Sequence, residues 1–165
     1  MSTTGNPVST ALRATVMALA ALTGASILVM VALTCVDVVM RLFGRPVFGV
    51  YDMVYVCGAV GMACALPYTT ALKGHVAIEY FLHKCGRRWR AGVESAVRLP
   101  GAALFCLLAV ETARTGGKMY GRGDVSATLQ LPVFWLMHVI AFCCAVTAAV
   151  IVHDLVKPGR ELVKP

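Results

Sequence analysis

Three stretches without a charged side chain dominate this sequence: 23 residues from Ala14 to Val36, 20 from Met53 to Leu72, and 28 from Val125 to Val152. The hydrocarbon core of a bilayer is about 30 Å thick, and a helix needs roughly 20 apolar residues to cross it. Each stretch meets that length. A fourth, around Leu99 to Val110, meets it once its flanks are counted. The pattern predicts an all-α integral membrane protein with four transmembrane helices at about 14–40, 50–72, 91–113 and 129–152. Breaker residues separate them. Gly44-Arg45-Pro46 forms the first turn, Pro67 kinks or ends the second helix, and Pro100 bends the third. Four glycines between Arg114 and Asp124 read as a loop, and Pro132 suits the first turn of the fourth helix.

The longest polar connection, Lys73 to Arg98, carries an apolar face of its own. Ile78, Phe81, Leu82 and Cys85 fall at helical spacing, with Glu79, His83 and Lys84 elsewhere around the turn. A short amphipathic helix lying in the membrane interface at about 75–90 follows from this spacing, with Trp89 of Arg87-Arg88-Trp89-Arg90 as a headgroup anchor. No polar stretch among the 165 residues is long enough for a separate soluble domain, so a single membrane domain is expected over residues 1–165. Only 14% of residues are charged, against about 25% in soluble domains, which excludes an ordinary soluble enzyme. The first apolar run continues eleven residues past the small-residue site Thr23-Gly24-Ala25, so it reads as a retained span rather than a cleaved leader. With four spans, ten basic residues fall on the side of both termini and five on the other. The positive-inside rule then places the N- and C-termini in the cytoplasm. The net charge of +7 belongs to this asymmetry beside anionic lipid and not to nucleic-acid binding.

Few ionisable residues enter the spans, and such residues are functional candidates. Asp37 and Arg41 are four apart on the first helix, and Asp52 opens the second, near Arg41 and Arg45 across a tight turn. A charge-paired outer corner of Asp37, Arg41 and Asp52 is expected, and its interfacial position favours fixing the hairpin over ion coupling. Glu94–Arg98 and Glu111–Arg114 are further pairs at helical spacing. His138 is the one imidazole deep in a span. It has no second deep histidine to complete a haem ligand pair, so packing or hydrogen bonding is its expected role. The seven cysteines show no metal-ligand spacing and read as small packing residues. No catalytic, cofactor-binding or metal signature is found, and the unwound midplane segments and repeats of an independent transporter are absent.

Several segments together resemble the small membrane subunit (DctQ-type) of tripartite ATP-independent periplasmic (TRAP) transporters. They are Asp37-Val38-Val39-Met40-Arg41-Leu42-Phe43-Gly44-Arg45-Pro46 at the end of the first span and an acidic residue, Asp52, opening the second. Lys73-Gly74-His75-Val76-Ala77-Ile78-Glu79 follows that span, and Ser126-Ala127-Thr128-Leu129-Gln130-Leu131-Pro132-Val133-Phe134-Trp135 leads into the fourth. Asp52 stands where the family more often has glutamate. The resemblance covers most of the chain in order, and it implies a multi-pass protein of the bacterial inner membrane. It implies a large multi-span permease subunit as partner, which takes up an organic anion, often a carboxylate, on an ion gradient. A periplasmic solute-binding protein delivers that solute. The small subunit then acts as scaffold, with Asp37, Arg41, Pro46, Asp52, His75, Glu79, Pro132 and Trp135 as structural or partner-interface residues. Arg114, Lys118 and Arg122 become candidates for contact with the binding protein. Two other classes compete. A self-sufficient homo-oligomeric exporter needs an embedded carboxylate, for which Asp37 is the one candidate. A membrane anchor of a redox enzyme needs haem ligands.

Overall fold

The computed structural model describes residues 7–72, 87–126 and 128–156. Four helices account for nearly all of them: α1, Pro7–Leu42; α2, Val50–Ala71; α3, Arg87–Arg122; and α4, Phe134–Val156. Among the described residues there is no strand, only one isolated antiparallel bridge between Val125 and Pro132. Among the described residues, three helices are long and apolar enough to cross a membrane: Ser9–Leu42, Val50–Ala71 and Phe134–Leu155. The described part of α3, which carries Arg98, Glu111, Arg114 and Lys118, is not among them.

The helices pack side by side in the order α1, α2, α4, α3. The central position of α4 leaves half of its spanning segment buried, whereas α1, with one main neighbour, buries 17% of its own. Small side chains set the helix separations, as expected where lipid is as apolar as leucine and close backbone approach must supply the attraction. Gly61 of α2 faces Ser26 of α1, and the Thr23 hydroxyl donates to the Gly61 carbonyl at 3.3 Å while also reaching Leu19 O at 3.0 Å. Val16, Leu19, Ala63, Cys64, Cys143, Val146 and Val150 form the buried core where α1, α2 and α4 meet.

Three expectations are corrected. The segment from Arg114 to Arg122 is not a loop, since α3 runs on to Arg122 and ends at Gly123, whose φ is 68°. Of the glycines that look like breakers, Gly116 is the one that lets α3 touch α4, while Gly117 and Gly121 face open space. The last helix starts at Phe134 and not near Leu129. Pro132 therefore sits outside it, bridged to Val125 in a short hairpin in which Gln130 takes a φ of 51°. Pro67, fully buried, lies inside α2, which continues to Ala71, within one residue of the expected end. Arg87 to Arg90 form the first turn of α3. The remainder of the predicted interfacial helix, including His75 and Glu79, lies outside the described residues, as does the Glu94 side chain.

The α2–α4 contact offers a direct test of this order. Cys64 and Cys143 are buried free thiols with sulfurs 3.7 Å apart. A disulfide needs about 2.05 Å between sulfurs, so a small side-chain rotation suffices to close it. Copper-phenanthroline oxidation in membranes is expected to join the two helices within one chain. Peptide mapping should show a Cys64–Cys143 link with loss of two hydrogens, abolished by Cys64→Ser or Cys143→Ser. A link from Cys64 to Cys106 instead would place α3 where α4 is described.

Candidate functional site: a polar clamp at the joined helix ends

At one end of the bundle, the C-terminus of α1, the N-termini of α2 and α4 and the C-terminus of α3 come together. Asp37, buried on the last turns of α1, receives two donors. Arg41 Nε, one turn on, lies 2.7 Å from Oδ2, and the backbone N–H of Val47 donates to Oδ1 at 3.2 Å. A carboxylate so placed closes the turn between α1 and α2 from inside. Arg41 then crosses the turn: its Nη2 donates to the Tyr51 hydroxyl at 3.2 Å, and its guanidinium carbon lies 5.6 Å from the centre of the Tyr51 ring. The arginine uses both its planar donor set and its affinity for an aromatic ring.

Asp52 is adjacent to Tyr51 in sequence but points about 100° around the helix, and it serves the other hairpin. Its Oδ2 accepts from the Ser126 hydroxyl, from the Thr128 N–H at 2.9 Å and from the Leu129 N–H at 2.8 Å. Two successive amides and a hydroxyl on one carboxylate oxygen make a small anion nest, holding the α3–α4 connection onto the start of α2. The expected ion pair between Asp52 and Arg41 or Arg45 does not form among the described residues, because all of Asp52's donors are neutral and come from the opposite hairpin. Tyr51 and Asp52 thus tie the two hairpins to one turn of α2.

The same turn explains Gly49. It caps α2 with φ 79°, a left-handed conformation that costs an ordinary L-residue roughly 1–2 kcal/mol. A Cβ here would also lie 2.5 Å from the Leu129 side chain, so Leu129 packs directly on the bare backbone.

The α3–α4 pair completes the site. Gly116 is buried against His138 and Met137. His138 Nδ1 lies 2.8 Å from the carbonyl of Phe134, and Phe134 packs edge-on to Tyr120 with centroids 5.0 Å apart. His138 therefore packs and hydrogen-bonds. Glu111 pairs with Arg114 at 2.9 Å on the exposed side of α3, and Arg114, Lys118 and Arg122 form an exposed stripe at every fourth residue. At the far end, Arg98 Nη1 donates to the Asp154 carbonyl at 2.9 Å. Pro46 is exposed in the α1–α2 turn, and Trp135, in the first turn of α4, lines a cavity beside Asp52.

Of the residues expected to act together, Asp37 and Arg41 are paired, while Asp52 is engaged elsewhere. Tyr51 and Gly49 are not among the residues expected from the sequence, and Ser126, Thr128 and Leu129 enter there only as part of the segment leading into the last helix, not as partners of Asp52. A signal for Gly49 existed, a glycine just ahead of an apolar run. Ser126 lies 74 residues from Asp52, and nothing local announces that contact. No group of three or more histidine, cysteine or carboxylate side chains suited to a metal occurs among the described residues. Residues 30–160 match the family described as tripartite ATP-independent periplasmic transporters, DctQ component. No curated protein and no solved structure matches the chain.

Proposed function

Since the chain belongs to the DctQ family, the DctQ component of tripartite ATP-independent periplasmic transporters, we propose that it braces the large permease subunit of such a system in the bacterial inner membrane. That subunit takes up an organic anion, in the first instance a carboxylate, on an ion gradient, and a periplasmic binding protein delivers the solute. The observation that carries this reading is the location and state of the charged groups. Asp37 and Asp52 sit at helix ends with their donors supplied by the chain itself, and Arg98 meets the end of α4. Carriers place such groups at mid-membrane, facing a solute or ion path. Here they fasten helices to one another. The exporter reading needs Asp37 open to a cavity, whereas Arg41 and the Val47 amide occupy it.

In this role α3 is the remaining membrane span. Its uncharged stretch, Leu99 to Val110, runs beside α4, because Arg98 meets Asp154 at one end and Gly116 meets His138 at the other. Both termini then lie in the cytoplasm, with the larger share of basic residues. Asp37, Arg41 and Asp52 fix the periplasmic end, and the Arg114–Lys118–Arg122 stripe faces the periplasm to meet an acidic surface of the binding protein. The exposed apolar flanks, such as Met62 of α2 and Leu107 of α3, face lipid and the large subunit.

Extraction in mild detergent should recover this chain together with a much larger multi-span permease subunit. Isolation as a homo-oligomer under conditions that keep such complexes intact would overturn the reading. Arg41→Ala, which releases both Asp37 and Tyr51, is expected to lower the yield of complex and the rate of uptake while leaving solute preference unchanged. A changed preference would place this subunit on the solute path.

A further inference from the structure

Beside the clamp lies a cavity of about 250 Å³ between the first turns of α2 and α4. Asp52 and Ser126 contribute polar groups to a lining otherwise formed by side chains such as Tyr55, Leu131, Pro132 and Trp135. The two oxygens of Asp52 are used unequally. All three donors go to Oδ2, which leaves Oδ1 without a partner among the described residues. None of those donors carries a charge, and Arg41 of the first hairpin is committed to Asp37 and Tyr51. The cavity therefore has an apolar body and, at one end, a half-used carboxylate that makes no ion pair among the described residues.

A ligand complementary to this shape carries an N–H cation on a short apolar stem. An ammonium offers three donors for the open oxygen. Tyr55 and Trp135 place two aromatic side chains in the lining, a residue type that attracts cations. Depth identifies the source. The cavity sits at the first turns of two helices that each cross a membrane by length and apolarity, which is headgroup level. Phospholipids are the molecules present there at high local concentration, with an acyl chain to extend along the exposed flanks of α2 and α4. Anionic headgroups are disfavoured by the Asp52 charge, and a choline headgroup has no N–H to give. We infer that this cavity binds the headgroup of a phospholipid bearing a primary ammonium, of the phosphatidylethanolamine type, with the ammonium on Asp52 Oδ1. The inference rests on the reading of α2 and α4 as membrane spans.

The test uses the full chain in nanodiscs containing equal parts of phosphatidylethanolamine, phosphatidylcholine and phosphatidylglycerol, followed by native mass spectrometry of retained lipid. One phosphatidylethanolamine per chain is expected, retained over phosphatidylglycerol by about fivefold or more. Asp52→Asn keeps an acceptor oxygen for the clamp but removes the charge, and it should bring that ratio to about one. Leu131→Trp, which fills the cavity and leaves Asp52 unchanged, should lose the retained lipid with the fold intact by circular dichroism. Equal retention of the three lipids by the unaltered chain would overturn the inference, as would a preference that survives both substitutions. Selective retention by the isolated chain that vanishes in the complex with the large subunit would assign the cavity to a basic side chain of that partner, and would likewise overturn it. Headgroup preference can fail while the large subunit still co-purifies, so the two readings are separately exposed.

Discussion

Replacing Asp52 with alanine is expected to free the α3–α4 connection from α2 and to raise hydrogen exchange at the Thr128 and Leu129 amides by on the order of tenfold or more. The reason is concentration of function in one atom. Both amides and the Ser126 hydroxyl donate to Asp52 Oδ2, and no other acceptor for them is described. A buried or half-buried donor that loses its acceptor carries its full desolvation cost, which exceeds the net worth of an ordinary hydrogen bond. Asp52→Asn should behave differently. An amide oxygen can still accept from the two N–H groups, so exchange should rise far less than in the alanine variant. The α1–α2 turn provides an internal control, because Asp37, Arg41 and Val47 do not involve Asp52. Exchange at the Val47 amide should stay within a factor of about two in both variants. Unchanged protection at Thr128 and Leu129 in Asp52→Ala would mean that the connection is held by the packing of Leu129 on Gly49 alone. Limited proteolysis between Gly123 and Leu131 gives a second, independent readout of the same release.

The clamp also shows how far the sequence could be read. Uncharged runs longer than a bilayer crossing announce helices whatever their tertiary setting, so α1, α2 and α4 were legible with ends misplaced by a few residues. The pairing of Asp37 with Arg41 was legible because it lies within one helix, where four-residue spacing fixes the geometry. Asp52 was visible as a charge at a helix start, but its partner was not. The expectation chose Arg41 by chain proximity and opposite charge, whereas the fold supplied neutral donors from 74 to 77 residues away. Proximity in space between two hairpins is set by how α4 seats between α2 and α3, and no local spacing encodes that.

Glycine misled for a related reason. Between Arg114 and Asp124 four glycines suggested a loop, by a rule that treats glycine as a helix breaker. Where two helices pack, the balance shifts, because a missing side chain is also the means by which they approach. Gly116 fills that second role, and only Gly123, with φ 68°, ends α3.

Gly116→Leu should accordingly detach α3 from α4. A Cβ at Gly116 would lie 2.8 Å from His138 Cε1, 2.9 Å from His138 Nδ1 and 3.1 Å from Met137 Cβ. The imidazole can swing aside, but Met137 Cβ is fixed to the α4 backbone, so the helices themselves must part. Among the described residues α4 is the only helix that α3 packs against. Separation at Gly116 therefore acts on the whole of its tertiary support, including the Arg98 contact to Asp154 at the far end. Overpacking of this kind costs about 1–3 kcal/mol, more than the roughly 1 kcal/mol that replacing glycine within a helix returns through propensity. Gly116→Ala lies near the balance of these effects and serves as the graded case. His138→Ala in the Gly116→Ala background should recover stability, because both approaches under 3.0 Å are to that ring, whereas leucine adds further carbons to an interface where Cβ already meets Met137 Cβ at 3.1 Å. Thermal unfolding in detergent measures the series. The geometry requires a ranking in which Gly116→Leu melts lowest, Gly116→Ala lies between, and the Gly116→Ala, His138→Ala pair stands above the single alanine variant. A leucine variant that melts with the unaltered chain would show that α3 and α4 are not in contact at this position.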